Sequence, residues 1–302
     1  MKTLNIIGAG RVGRSLAHLW HKQGVFAIQD VLTRSHTSAG EAVQFIGAGK
    51  SVPSLSHMRK ADVWMLAVPD GQISITASKI AEYLAKLEFK TSIDSVFIAS
   101  NATIFHCSGA LSTVELQPLR DKGLQVASAH CLLSFSAPSS AVTQFAGTPC
   151  ALEGDTLAKQ TLQSAFEAIG ANCFDIAEKD KMLYHAAAVF ATNFLPVLQV
   201  VAADLWRSSG MPVDMIEPLN ASLLQKAVQN ISTQGATKAL TGPAARGDVD
   251  LVAMQGTAVT AWNAQAGSAY TALSLLAMKI AKDGTIQSTI ENKIQNTPTK
   301  EK

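Results

Sequence analysis

Met1-Lys2-Thr3-Leu4-Asn5-Ile6-Ile7-Gly8-Ala9-Gly10-Arg11-Val12-Gly13 begins with an apolar run and passes straight into glycines spaced G-x-G-x-x-G. Leu4 to Ile7 reads as a buried strand. The stretch after the glycines, Arg14 to Gln23, carries Leu16, Ala17, Leu19 and Trp20 on one helical face and is closed by Gly24. A strand that turns through such glycines into a helix is the arrangement that binds a dinucleotide. Gly8 permits the tight turn, Gly10 lets the pyrophosphate approach the backbone, and Gly13 lets helix and strand pack closely. Arg11 and Val12 complete the loop, and the first turn of the helix offers free N–H groups and a positive dipole end to the phosphates. The plain alternative is a turn with no ligand.

Outward from this loop, apolar runs recur at Ala27–Thr33, Val63–Val68, Thr103–Cys107, Gln125–Ala129 and Pro149–Glu153, separated by helical stretches. That alternation predicts a doubly wound Rossmann domain with a parallel sheet. After Ala177 the pattern changes to long helical stretches with breaks at Ser209–Pro212, Thr241–Pro243 and Gln265–Gly267. The expected organisation is therefore a dinucleotide-binding α/β domain over residues 1–154 and an all-helical domain over 155–302, for substrate binding and dimerisation. The polar end from Asn292 to Lys302 is expected to fray.

Composition narrows the function classes. Apolar residues make up 47% of the 302-residue chain and charged ones 16%, a globular balance, and a net charge of +2 with no basic stripe argues against nucleic acid as a partner. Cys107, Cys131, Cys150 and Cys173 are scattered without a CxxC pair, so no metal site and no disulfide framework is expected. The N-terminal apolar run is too short for a signal peptide, and His185–Ala203, interrupted by Asn193 and Pro196, reads as a buried core helix rather than a membrane span. A cytoplasmic location is the expectation.

Cofactor choice is read at the end of the second strand. Asp30 falls too early to accept from a ribose hydroxyl, while Thr33, Arg34 and Ser35 stand where a 2′-phosphate would, so NADP(H) is preferred over NAD(H). Arg34 could equally be a solvated surface arginine. Val68-Pro69-Asp70 ends the third long run, where Asp70 either lies against the cofactor or caps the next helix.

His106-Cys107-Ser108-Gly109-Ala110, Ser128-Ala129-His130, Tyr184-His185-Ala186-Ala187-Ala188 with Asn193, and Thr241-Gly242-Pro243-Ala244-Ala245-Arg246-Gly247-Asp248 together resemble a bacterial family. That family joins a Rossmann-like NADP oxidoreductase domain to a helical domain of formerly unknown function. The likeness covers nearly the whole chain, to about Lys282, and extends to ketopantoate reductases and, more distantly, to the 6-phosphogluconate dehydrogenase-like and pyrroline-5-carboxylate reductase proteins. One departure is Cys131, where the family pattern has proline after the histidine. The resemblance implies NADPH-dependent reduction of a small α-keto acid by a homodimer, most specifically 2-dehydropantoate (ketopantoate) to pantoate in pantothenate and coenzyme A synthesis. It also implies His185 as proton donor and Asn193 as a hydrogen bonder to the substrate oxygen, with Lys181 the competing acid.

A ketone reductase needs a proton donor and commonly a cation for the substrate carboxylate. Arg246 is the candidate for the carboxylate, Asp248 orients it or caps the next helix, and Thr241 belongs to the same turn-rich loop. His106, Ser108 and His130 are expected to face the nicotinamide from strand ends, although each histidine could instead satisfy backbone groups. His185 on an alanine-rich helix could likewise be a satisfied core residue, and Lys181, beside Glu178 and Asp180, an exposed ion-pair partner. Two other readings stay open: reduction of a cyclic imine such as pyrroline-5-carboxylate, and a non-catalytic NADP-binding sensor.

Overall fold

In the computed structural model, residues 1–88 and 102–287 are described. The tail from Asn292 to Lys302, expected to fray, lies outside the described residues. Strands β1 (Lys2–Ile7), β2 (Phe26–Leu32), β3 (Lys50–Ser51), β4 (Val63–Leu66), β5 (Thr103–His106), β6 (Gln125–Cys131), β7 (Pro149–Gly154) and β8 (Asn172–Asp175) form one sheet in the order β3-β2-β1-β4-β5-β6-β7-β8. The pairs are parallel except β6 with β7, which is antiparallel. Chain order reverses direction across the sheet between β1 and β4, which makes their carboxyl ends the crevice where open α/β sheets take ligands.

Helices α1 (Arg11–Lys22), α2 (His36–Ile46), α3 (Ile73–Glu88), α4 (Gln117–Arg120), α5 (Pro138–Gln144), α6 (Thr156–Glu167) and α7 (Lys181–Ala188) complete this part. The period-2 alternation of β4 shows why both faces of the sheet are covered. Val63 and Met65 join a core with Leu16, Trp20, Phe145 and Phe166, whereas Trp64 and Leu66 join a second core with Ile73, Ile80 and Leu119. Trp20 anchors the first core: fully buried, it donates its indole N–H to the Ala165 carbonyl at 2.9 Å and meets Phe26, Phe105 and Phe166 edge-on.

Six of the eight strands lie on the apolar runs of the sequence. The exceptions, β3 and β8, are short, and β8 is mostly exposed, so neither carries a strong apolar pattern. The chain separates into compact units at Met1–Thr192 and Asn193–Lys302, and a cut at residue 154 would sever β8 and α6 from the sheet against which they pack.

The second unit is helical: α8 (Phe194–Ser208), α9 (Val213–Gln234), α10 (Ala236–Ala239), α11 (Pro243–Arg246), α12 (Val249–Trp262) and α13 (Ala264–Asp283), with a π-helical turn over Val189–Asn193 preceding it. The expected break at Gln265–Gly267 falls earlier, at Asn263, whose side chain accepts from Ala266 N at 2.9 Å to cap α13. Gly267 instead lies inside α13, where an added Cβ would overlap Thr260 of α12: it is a close-packing glycine, not a helix breaker.

The expectation of a buried core helix at His185–Ala203 is also corrected. Glu178–Ser208 is long and apolar enough to cross a membrane by length and composition alone. No residue of α8 is buried, and Phe190, Val197 and Val200 are 63%, 56% and 62% exposed. Where α12 and α13 meet, the buried residues are small, Gly256, Gly267 and Ser274, so larger apolar side chains such as Met254 and Leu275 are left outside.

Candidate active site

The glycine loop fits a dinucleotide on grounds of space. Gly8 adopts φ 82°, a left-handed value, and an added Cβ there would lie 2.6 Å from the Ala67 carbonyl oxygen. A Cβ on Gly13 would come within 2.8 Å of both Ala67 Cβ and Gly8 O. Gly10, by contrast, has nothing within 4 Å of its would-be Cβ, which leaves room for a phosphate above the start of α1. No acidic residue occupies the first turn of α1 and no side chain caps it, so its first N–H groups are left available to a phosphate.

At the end of β2 the acidic residue is spent. Asp30 is 1% exposed and holds the Arg59 guanidinium at 2.8 Å and the Arg59 backbone N–H at 2.6 Å, so it has nothing to offer a ribose. Thr33, Ser35 and Ser38 hydrogen-bond one another, with the Ser35 hydroxyl capping α2, and Arg34 is exposed beside them. Val68 packs against Gly8, and Pro69 leads into a 3₁₀ turn over Asp70–Gln72. Asp70 accepts from the Ser108 hydroxyl at 3.0 Å.

Beside this loop lies a cavity of about 260 Å³, lined by Val12 and Leu16 of α1, by Asp70, by Ser108 and Gly109 after β5, by His130 of β6 and by His185 of α7. A larger depression of about 570 Å³, lined by Lys2, Gln125, Thr161 and others, sits at the opposite ends of the strands, away from the glycines. Chemistry, not size, picks out the smaller cavity. Gly109 is its pivot: an added Cβ would lie 2.6 Å from His185 Nδ1 and 2.8 Å from His130 Nε2, so only glycine lets both rings approach. The two imidazoles are 5.6 Å apart at 76°.

The His185 Nδ1 atom is buried and has no hydrogen-bond partner, which in a folded protein calls for a ligand or another explanation. His130 is held from behind by Tyr184, whose hydroxyl lies 3.0 Å from Nδ1. Burial raises the tyrosine pKa, so the hydroxyl keeps its proton and can donate to Nδ1, the arrangement that puts the His130 ring proton on Nε2, toward Gly109. Desolvation, with help from His185 and Lys181, lowers the His130 pKa to about 4. At neutral pH it is a neutral N–H donor rather than a cation.

His106 does not join this pair. Fully buried, it accepts from Ser108 N at Nδ1 (3.2 Å) and donates from Nε2 to Ser112 O (3.1 Å), and desolvation lowers its pKa to about 4. Both nitrogens serve backbone groups at the strand end, and His106 does not line the cavity. Ser108 lines the cavity but commits its hydroxyl to Asp70 and to Leu111 N.

Lys181 is the largest departure from expectation. Instead of an exposed ion pair with Glu178 or Asp180, its side chain is 1% exposed and Nζ donates to Ser128 Oγ at 2.7 Å and to Ser108 O at 3.2 Å. Burial lowers its pKa, opposed by Glu153 and Asp70. It does not line the cavity but stands behind its wall. Glu153 is not singled out by the sequence reading, and Ser128 and Tyr184 enter it only as parts of motifs. The available signal was an acidic residue inside the apolar strand Pro149–Gly154.

Asn193, Thr241, Arg246 and Asp248 all belong to the second unit and are exposed. Asp248 accepts from Leu251 N at 3.3 Å, capping α12. Among the described residues no cluster of three or more His, Cys, Asp or Glu is arranged to hold a metal ion.

Comparison with known proteins gives the family. Residues 2–131 match the model of a Rossmann-like domain, and residues 148–277 match that of a domain of unknown function, DUF2520. No curated protein sequence is significantly similar. Among solved structures, a Bacteroides fragilis protein assigned as an NADP oxidoreductase aligns over 92% of this chain and 98% of its own with 20% identity and a TM-score of 0.68. A protein from Thermotoga maritima aligns over 93% and 99% with 24% identity and a TM-score of 0.69. The pyrroline carboxylate reductase of Plasmodium falciparum, solved with NADP bound, aligns over 92% and 98% with 13% identity and a TM-score of 0.53. The chain thus belongs to the proteins that join a Rossmann-like domain to a DUF2520 domain.

Proposed function

We propose that this chain is a soluble NADP(H)-dependent reductase that places the reacting double bond of a small molecule between His130 and His185. The observation that carries the reading is the buried, unpartnered His185 Nδ1 facing a cavity whose other wall is the helix opened by the glycine loop. When bound, the cofactor supplies the hydride. Residues 8–13 hold its pyrophosphate, and Arg34, with Asp30 already engaged by Arg59, favours a 2′-phosphate and so NADP(H) over NAD(H). His185 Nδ1 gives its proton to the atom that gains negative charge, while the neutral His130 Nε2–H donates a hydrogen bond to the same atom. Val12, Leu16 and Leu133 keep that side of the cavity apolar.

In finer detail, the substrate is an α-keto acid, with ketopantoate the specific assignment, acted on in the cytoplasm by a homodimer whose contacts cover the exposed apolar side chains of the second unit. A cyclic imine such as pyrroline-5-carboxylate is the second reading, favoured by the likeness to the Plasmodium enzyme. Purified protein should oxidise NADPH with one of these substrates, and His185→Ala should lower turnover by about 100-fold while leaving NADPH binding intact. Arg246→Ala, run alongside, raises KM for a carboxylate substrate if its guanidinium is the carboxylate ligand. NADPH binding without turnover of any keto acid or imine would support the sensor reading instead.

A further inference from the structure

Behind the cavity wall a chain of buried polar groups runs from strand to helix. Ser128 and Glu153 sit opposite each other on β6 and β7, and both are buried. The Ser128 hydroxyl accepts from Lys181 Nζ at 2.7 Å and donates to Glu153 Oε2 at 3.1 Å, so it bridges the ammonium and the carboxylate. Glu153 is clamped on its other side by Thr113, whose N–H reaches Oε2 at 2.9 Å and whose hydroxyl reaches Oε1 at 2.6 Å. The free end of the chain is the bond from Lys181 Nζ to the Ser108 carbonyl, one residue before the Gly109 pivot.

A buried ammonium is costly unless a counter-charge and hydrogen bonds hold it. Here the counter-charge is aimed through one hydroxyl, and the ammonium in turn grips the backbone against which both cavity imidazoles pack. We propose that Glu153 is a positioning residue of the site: acting through Ser128, it keeps the Lys181 ammonium on the Ser108 carbonyl, fixing the Ser108–Gly109 turn and a positive charge behind His130. The proposal rests on the cavity being the reductase site.

Arg120, paired with Asp155, donates to the Thr113 hydroxyl at 3.1 Å and so stands beside the clamp on Glu153, and Tyr184 bonds His130. His130 feels His185 and Lys181, which push its protonation down, and Asp70, which pulls it up. Lys181 feels Glu153, Asp70 and Cys150, all of which favour its charged form. His106 feels Lys181, Glu153 and Asp70 as well.

Histidine-ring NMR titration of the full chain tests this without substrate or cofactor. In Glu153→Gln the ammonium loses its first counter-charge and is no longer drawn through Ser128 onto the Ser108 carbonyl, so the positive charge behind His130 weakens; the His130 midpoint, about 4 in the parent, then rises by about half a unit. Lys181→Met should give the same rise, and the double variant no more than either single one. A Glu153→Gln protein with a lower Tm but an unmoved His130 midpoint would overturn the proposal, because a purely structural carboxylate changes stability alone. If Glu153→Gln does not fold, Ser128→Ala, which cuts the bridge and so frees the ammonium from its place on the Ser108 carbonyl behind His130, should raise the His130 midpoint in the same direction; no rise there also overturns it. Failure of the reductase reading shows separately, as absent NADPH turnover in the unmodified chain.

Discussion

The two units of this chain spend their apolar residues differently. In the first, Trp20, Trp64, Phe105, Phe145 and Phe166 are buried to below 2% exposure in cores on either side of the sheet. In the second, Ile216 is the one large apolar side chain among the described residues that is buried, while Met254, Leu275 and Val249 are 70%, 62% and 62% exposed. Helices can satisfy their own backbone without a core, so regular secondary structure forms in both, but only the first unit buries enough apolar surface to hold itself together. The difference teaches that the cavity chemistry stands on a self-sufficient scaffold, whereas the helical unit calls for cover from outside itself.

The largest expected effect falls on the core that the second unit lacks. Trp20→Ala should cost about 3–5 kcal/mol, read by denaturant unfolding, while Leu275→Ala should stay within about 0.5 kcal/mol in dilute protein. If the Leu275→Ala cost grows as protein concentration rises, partner copies cover the helical surface, and the contrast between units becomes one between internal and shared cores.

Acid should act next, and on the first unit. His106 and His130 titrate near 4 when folded against 6.5 when unfolded, so between those values the unfolded chain binds more protons. Their contribution to stability is complete above pH 6.5 and is lost as pH falls toward 4, by about 3 kcal/mol for a fully buried ring. Melting curves across that window check it; a Tm that is flat from pH 7 to about 4 would show that the rings are not held neutral by burial.

The smallest effect separates cofactor from fold. Gly10→Ala meets no atom, so Tm should not move, yet NADPH affinity should fall by about tenfold as the methyl group displaces the phosphate. Gly13→Ala should instead lower Tm, because its Cβ collides with Ala67 and Gly8.

The fold was legible where residues report their own surroundings. A glycine loop between a strand and a helix, and apolar runs that alternate with helical faces, are local signals, and β1, β2, β4, β5, β6 and β7 follow from them. Strand β8 was missed because Asn172–Asp175 is mostly exposed and lacks the apolar pattern. The site was legible only in part. Gly8, Gly10, Gly13 and His185 were marked by motif, but Lys181 lies in Glu178-Lys179-Asp180-Lys181, which reads as solvated charge. Its burial depends on partners 53 and 73 residues away, Ser128 and Ser108, which no local pattern reports. His106 went the other way: a motif histidine whose two nitrogens turn out to serve Ser108 and Ser112.

The most direct test of the account is a crystal structure of the chain with NADP⁺ bound. The pyrophosphate is predicted against the backbone of residues 8–12, the 2′-phosphate near Arg34, and the nicotinamide ring in the cavity of Ser108, Gly109 and His130. A dinucleotide bound away from the glycine loop, or a nicotinamide that leaves this cavity empty, would contradict the assignment of His130 and His185 to the reaction.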